Sequence, residues 1–172
     1  MNPTDRTGLT ALEALGIAIR ADIDACELYT ELAERCEDRQ IRRRFETLAD
    51  DERQQREQLE MQWKSVAEEV PLKLPPSRLP REHLTRSQRA GMSMEDVLEL
   101  AIEAERKSRE FYLQSARDTD DLSGRAMFRY LADAAYQHCM VLAQEKDMLI
   151  RYPNYGRPGK MPWRPEKEHH RG

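Results

Sequence analysis

The chain has 172 residues, 35% of them charged, with 7 glycines and a formal net charge of −4 at pH 7. That length suits one domain with a substantial core, and a charge-rich, glycine-poor composition suits long solvent-laced helices better than a sheet. Interleaved acidic and basic residues argue against a dedicated nucleic-acid surface, no apolar run approaches the roughly 18 residues of a membrane span, and "MNPTDRTG" does not read as a signal peptide.

In chain order, a first helix is expected over 10–36, opened by the capping box Thr10-x-x-Glu13. The polar stretch "CEDRQ" around Asp38 reads as a turn, and a second helix follows over 39–67. Next comes "VPLKLPPSRLPREHLTRSQRAG" within residues 68–92, whose four prolines cannot continue a helix. At about 3.1 Å per residue, such a segment reaches roughly 60 Å, enough to run the length of a bundle of ~40 Å helices. A second capping box, Ser93-x-x-Asp96, opens a third helix over 93–118. After "DTDDLSG" around Asp121, a fourth helix runs over 122–150, and 151–172 is a Pro/Gly-rich tail. The expected organisation is an all-α four-helix bundle over 1–150, built of hairpins 10–67 and 93–150 joined by one long crossover.

The two hairpins are copies of each other. Sliding the chain by 83 residues places Gly8 on Gly91, Ile19 on Ile102, Tyr29 on Tyr112, Phe45 on Phe128 and Leu59 on Leu142, without a gap. "LADDERQQ" at 48–55 thereby falls on "LADAAYQH" at 131–138. The shared stem is kept, while Glu52 faces Ala135 and Gln55 faces His138.

Heptad spacing then gives one apolar seam per helix. These are Leu12, Leu15, Ile19, Asp22, Cys26, Tyr29, Ala33; Ile41, Phe45, Leu48, Glu52, Gln55, Leu59; Leu98, Ile102, Glu105, Arg109, Tyr112, Ala116; and Phe128, Leu131, Ala135, His138, Leu142, continuing to Glu145 and Leu149. Each seam turns polar near its middle. Residues equidistant from a hairpin turn lie at one level, so Asp22, Glu52, Gln55, Glu105 and His138 are expected in a single layer. An uncompensated carboxylate inside a bundle is costly, so it protonates or finds a cation. Three carboxylates with an imidazole therefore call for a metal ion, and the competing counter-charge is Arg109, one turn from Glu105.

"AIRADIDACELYTELA" with "LADDERQQREQL", then "AIEAERKSREFYLQSA" with "LADAAYQHCMVL", resembles the rubrerythrin branch of the ferritin-like superfamily over roughly residues 8–150. The resemblance implies a di-iron or di-manganese centre inside the bundle, and redox chemistry with oxygen or peroxide. Carried over by position, the metal ligands are Asp22, Glu52, Glu105 and His138, with Gln55 as an additional candidate where the family has His. Ala135 stands where the family has Glu, and Ser108 where some members carry an extra Glu. What remains is one divalent metal position, most simply iron, with manganese or zinc as alternatives. The three cysteines, Cys26, Cys36 and Cys139, form no C-x-x-C pair and read as reduced thiols of a cytoplasmic protein. Nor do they supply the paired cysteines of a rubredoxin module.

Two functional readings follow. One is a rubrerythrin-like oxidoreductase with a reduced ligand set. The other is a metal-free pseudo-enzyme serving as a helical scaffold, its layer neutralised by Arg109. Tyr29 and Tyr112 read as core residues that hydrogen-bond a carboxylate; His83, His169 and His170 read as solvated. A homodimer is expected, from the family's habit and from exposed aromatics such as Tyr155 and Trp163.

Overall fold

A computed structural model describes residues 11–76, 86–120, 122–152 and 154–155. Thr10, Gly8, His83, Asp121, Trp163, His169 and His170 lie outside the described residues, as do the middle of the Pro-rich connection and most of the tail. Among the described residues the regular structure is entirely helical, with α1 at Ala11–Arg35, α2 at Arg39–Val66, a single turn α3 at Arg86–Arg89, α4 at Met94–Asp118 and α5 at Leu122–Arg151.

The helix starts follow from local chemistry. Asp38 caps α2, its carboxylate accepting from the Gln40 amide at 2.8 Å and the Ile41 amide at 3.1 Å. Ser93 caps α4 reciprocally: its hydroxyl accepts from the Asp96 amide at 3.1 Å, and Asp96 accepts from the Ser93 amide at 3.3 Å. Such caps satisfy donors that the first turn leaves without partners. The two hairpin turns are clamped alike. Arg42 donates to the Cys36 carbonyl at 2.7 and 3.2 Å, and Arg125, its repeat partner, to the Thr119 carbonyl at 3.1 and 3.3 Å.

α1 packs along α2, α4 along α5, and α1 meets α4. The described flanks of the long connection touch α1 at different heights. Near one end, Pro75 Cδ lies 3.5 Å from where a Gly16 side chain would begin, and the Trp63 ring lies 3.6 Å from the same point. Towards the other end, Arg89 pairs with Glu31 through contacts of 2.8 and 2.9 Å, both side chains being buried. Arg35 adds a bond of 2.5 Å to the Met92 carbonyl. Gly16 and Glu31 are separated along the helix by roughly 22 Å at 1.5 Å per residue. α3 was not expected from sequence. A single turn shows no periodicity, and this one is tied down by a tertiary ion pair.

The core is divided. One apolar cluster contains Tyr29, Ala33, Phe45, Leu48, Leu98, Ile102 and Leu142. The other contains Leu15, Ile19, Leu59, Tyr112, Ala116, Phe128 and Leu131. Residues 83 apart fall in opposite clusters every time: Phe45 and Phe128, Leu59 and Leu142, Tyr29 and Tyr112. The repeat therefore folds about a pseudo-two-fold axis that exchanges the ends of the bundle. Each buried Leu or Phe contributes about 1.5–3 kcal/mol of apolar transfer.

Removing one partner of a buried ion pair strands the other charge. Arg89→Ala is expected to lower unfolding free energy by about 3 kcal/mol, measured by urea denaturation. At the same end, burial, reinforced by the Glu145 charge, pushes the Cys36 thiol from 9.0 up to about 11. A raised thiol pKa adds stability that is complete below the unfolded value and is lost as pH climbs through the folded one. Stability of the wild type should thus fall between about pH 9 and 11 more steeply than that of Cys36→Ala, as read from unfolding curves across that range.

Candidate metal centre

Between the two apolar clusters lies a polar layer to which every long helix contributes. α1 brings Asp22, α2 Glu52 and Gln55, α4 Glu105 and Ser108, and α5 His138; all six are buried. Helical spacing places them there. On α5, Leu131, Ala135, His138 and Leu142 recur at intervals of four and three, so the face that buries leucine on either side carries the imidazole inward. On α2, Leu48, Glu52, Gln55 and Leu59 do the same.

Glu52, Glu105 and His138 converge most closely, each offering one ligand-type atom with all three atoms within 4.8 Å of one another. His138 Nδ1 and Glu52 Oε1 are 3.0 Å apart. Tyr29 from α1 donates to Glu105 Oε1 and sets its ring edge-on to His138, with centroids 6.1 Å apart and planes at 87°. One tyrosine therefore braces two members of the cluster. Burial pulls the His138 pKa down, but the hydrogen bond to Glu52 and the charges of Glu52, Glu105 and Asp51 outweigh it, leaving the imidazole above its usual 6.5. Asp22, Gln55, Tyr112 and Ala135 line the same small cavity, about 10 Å³, room for roughly one water.

The donor set suits a divalent cation. Two carboxylates and an imidazole are the ligand types that iron, manganese and zinc accept. Ligand atoms 3.0 Å apart can share one ion at bond lengths of about 2.0–2.2 Å. Among the described residues no lysine or arginine lines the cavity, so the acidic layer has no counter-charge beyond His138 within that lining.

Arg109 departs from its expected place. It is exposed, its guanidinium lying 4.8 Å from the centre of the Tyr136 ring on the outside of the α4–α5 pair. Ser108 takes the inward position instead. Positions three and four after Glu105 are equally eligible by periodicity, and the cost of desolvating a guanidinium decides between them. Cys26 is likewise half-buried, with Ala25 turned inward. Sequence periodicity named Glu145 on a seam but supplied no partner for it. The structure gives it Arg44 and Tyr155, at positions distant in sequence. Neither Ser108 as a lining residue nor the burial of Glu31 was signalled by the heptads.

The Rubrerythrin family model matches residues 13–86, which carry α1 and α2 with Asp22, Glu52 and Gln55. The first hairpin is thus similar to the Rubrerythrin family. A solved structure, a hypothetical protein from Pyrococcus furiosus, is similar to this chain at 25% identity and a TM-score of 0.69, over 85% of this chain and 94% of the other. No curated protein matches the chain. The second hairpin, with Glu105 and His138, lies outside that match and is related to the first by the internal repeat. Among the described residues no helix is long and apolar enough to cross a membrane.

Because Arg109 makes only an exposed cation–π contact, Arg109→Ala should change stability by no more than about 1 kcal/mol. Thermal and urea unfolding of that variant check this. A loss of several kcal/mol would restore Arg109 to the buried layer.

Proposed function

We propose that this rubrerythrin-type bundle binds one divalent metal ion per chain, through Glu52, Glu105 and His138, and that its chemistry is redox chemistry with dioxygen or peroxide. The observation that carries the reading is the convergence of those three buried side chains within 4.8 Å. The two carboxylates with a neutral imidazole balance the charge of a divalent cation, and among the described residues no lysine or arginine lines the cavity to compete with it. Tyr29 donates to Oε1 of Glu105 and so orients that carboxylate. Asp22 is one methylene shorter than the glutamate at the equivalent repeat position, Glu105. It serves as a fourth ligand or as an acceptor for a bound water.

Iron or manganese held by Glu52, Glu105 and His138 would supply one-electron chemistry. The chain's own contribution is enclosure. A water-sized cavity walled by Ala21, Ala25, Leu131 and Ala135 excludes an organic substrate and suits a ligand of one or two heavy atoms. Ala135 and Gln55, standing where a bridging carboxylate and a second imidazole are expected, support one metal rather than two.

Protein freed of metal and titrated anaerobically with Fe(II), then with Mn(II) and Zn(II), should take up about one ion per chain. His138→Ala should abolish uptake, since the imidazole is the one nitrogen ligand, and Gln55→Ala should leave it nearly unchanged. The double variant Gln55→His with Ala135→Glu should raise capacity towards two. Metal analysis after gel filtration reads all four. Wild-type protein that retains no ion, or His138→Ala that retains as much as wild type, overturns the proposal.

A further inference from the structure

The two ends of the bundle are related by the internal repeat but are finished differently. At the end where α2 closes, Trp63 is the plug. It is buried, packs against Gly16, and donates its indole N–H to the Val70 carbonyl at 3.1 Å. Its repeat partner, 83 residues on, is Lys146, which reaches outward to pair with Glu99. Among the described residues no indole fills the second end. A cavity of about 230 Å³ lies at that end, walled by Ile41, Phe45, Met94 and Leu149, with Glu145, Tyr155, Arg35 and the exposed Glu37 also in its lining.

Its polar corner is built. Glu145 is 1% exposed, is held by the Arg44 guanidinium, and accepts from the Tyr155 hydroxyl at 2.5 Å. Arg44 and Tyr155 are themselves 3.3 Å apart. A carboxylate has about four acceptor positions, and these two donors leave capacity for another. Arg44 meets the charge of Glu145, and Arg35 in the lining is engaged by the Met92 carbonyl and Glu31, so a charged guest would lose its hydration with little compensation. The corner therefore suits a neutral molecule that presents a donor. Size and wall chemistry narrow the class further. A cavity of about 150 Å³ lined by aliphatic and aromatic side chains holds benzene, so this one has room for a single or fused ring. Phe45 and the Met94 thioether are suited to the face and edge of an aromatic guest.

We infer that this end cavity is a binding site, separate from the carboxylate–histidine layer, for a small neutral aromatic molecule bearing one hydrogen-bond donor, of the phenol or indole class. The apolar walls take the ring, and Glu145, held in place by Arg44 and Tyr155, takes the donor hydrogen. The site does not depend on the metal reading, because its nearest element of the layer, His138, lies two turns away along α5.

The full chain is titrated with indole, and separately with toluene, which has a similar apolar body and no donor. Saturation-transfer NMR and the melting temperature are followed together. Indole should give saturable transfer and a melting temperature that rises with its concentration, as for any ligand of the folded state. Toluene should give a markedly smaller rise. Leu149→Trp, which supplies the missing plug, should abolish both indole signals while leaving helical content and metal uptake as in wild type. Met94→Trp is the second filling variant, should Leu149→Trp fail to fold. Absence of saturable indole transfer in the wild type overturns the site. So does indole binding that persists in a folded, cavity-filled variant. An equal response to toluene overturns the donor requirement assigned to Glu145.

Discussion

In the middle of the bundle, Asp22, Glu52 and Glu105 share one buried layer with a single imidazole, and no lysine or arginine among the described residues lines the cavity they face. Transfer of an ionised carboxylate out of water is strongly unfavourable unless something positive meets it. Much of the remaining architecture can be understood around that constraint. The core is split into two apolar clusters because the layer separates them, and the pseudo-two-fold axis passes between those clusters because each hairpin contributes half of the layer. Tyr29 spans the boundary, belonging to one cluster by its ring and to the layer by its hydroxyl.

Buried carboxylates elsewhere in the same chain provide the contrast. Glu31 is met by Arg89 and Arg35, and Glu145 by Arg44 and Tyr155. In both cases the cation is built into the fold, and the pair fastens a segment to the bundle: α3 to α1 in the first, the turn after α5 to α2 in the second. These carboxylates are structural, and their charge is accounted for by protein. The cluster of Glu52, Glu105 and His138 is of another kind. Three ligand-type groups converge there, and among the described residues no arginine or lysine lines the cavity they face; the imidazole, its pKa pulled down by burial but raised overall by Glu52 and Glu105, sits beside the carboxylates instead.

Duplication followed by divergence explains why the layer is lopsided. One repeat carries Glu52 and Gln55 where the other carries Ala135 and His138, so each supplies one metal-ligand type at these two positions. Because the pseudo-two-fold brings α2 beside α5 at this level, the surviving carboxylate and the surviving imidazole meet across the interface between hairpins, 3.0 Å apart. Neither hairpin alone retains the pair. The bundle ends differ between the repeats too, Trp63 standing in one where Lys146 stands in the other.

The sequence by itself determined the helices, their caps and the level at which polar residues enter the seams. Those features depend on contacts within a few residues: Asp38 with the amides that follow it, Ser93 with Asp96, and the three-and-four spacing of leucines about Glu52 and His138. It also determined the repeat, and with it the pairing of Tyr29 with Tyr112 and of Phe45 with Phe128 about one axis. Tertiary structure alone decided which of two eligible neighbours turned inward. Ser108 lines the cavity and Arg109 lies outside on Tyr136, because periodicity separates faces only to within a residue while desolvation of a guanidinium is a cost of the folded environment. Tertiary structure decided too that Glu31 and Glu145 would be buried, since their partners Arg89, Arg44 and Tyr155 are distant in sequence and reach them only when the chain closes. The difference is one of range: local spacing and capping are written along the chain, whereas the charge balance of a buried group is settled by whatever the fold brings against it.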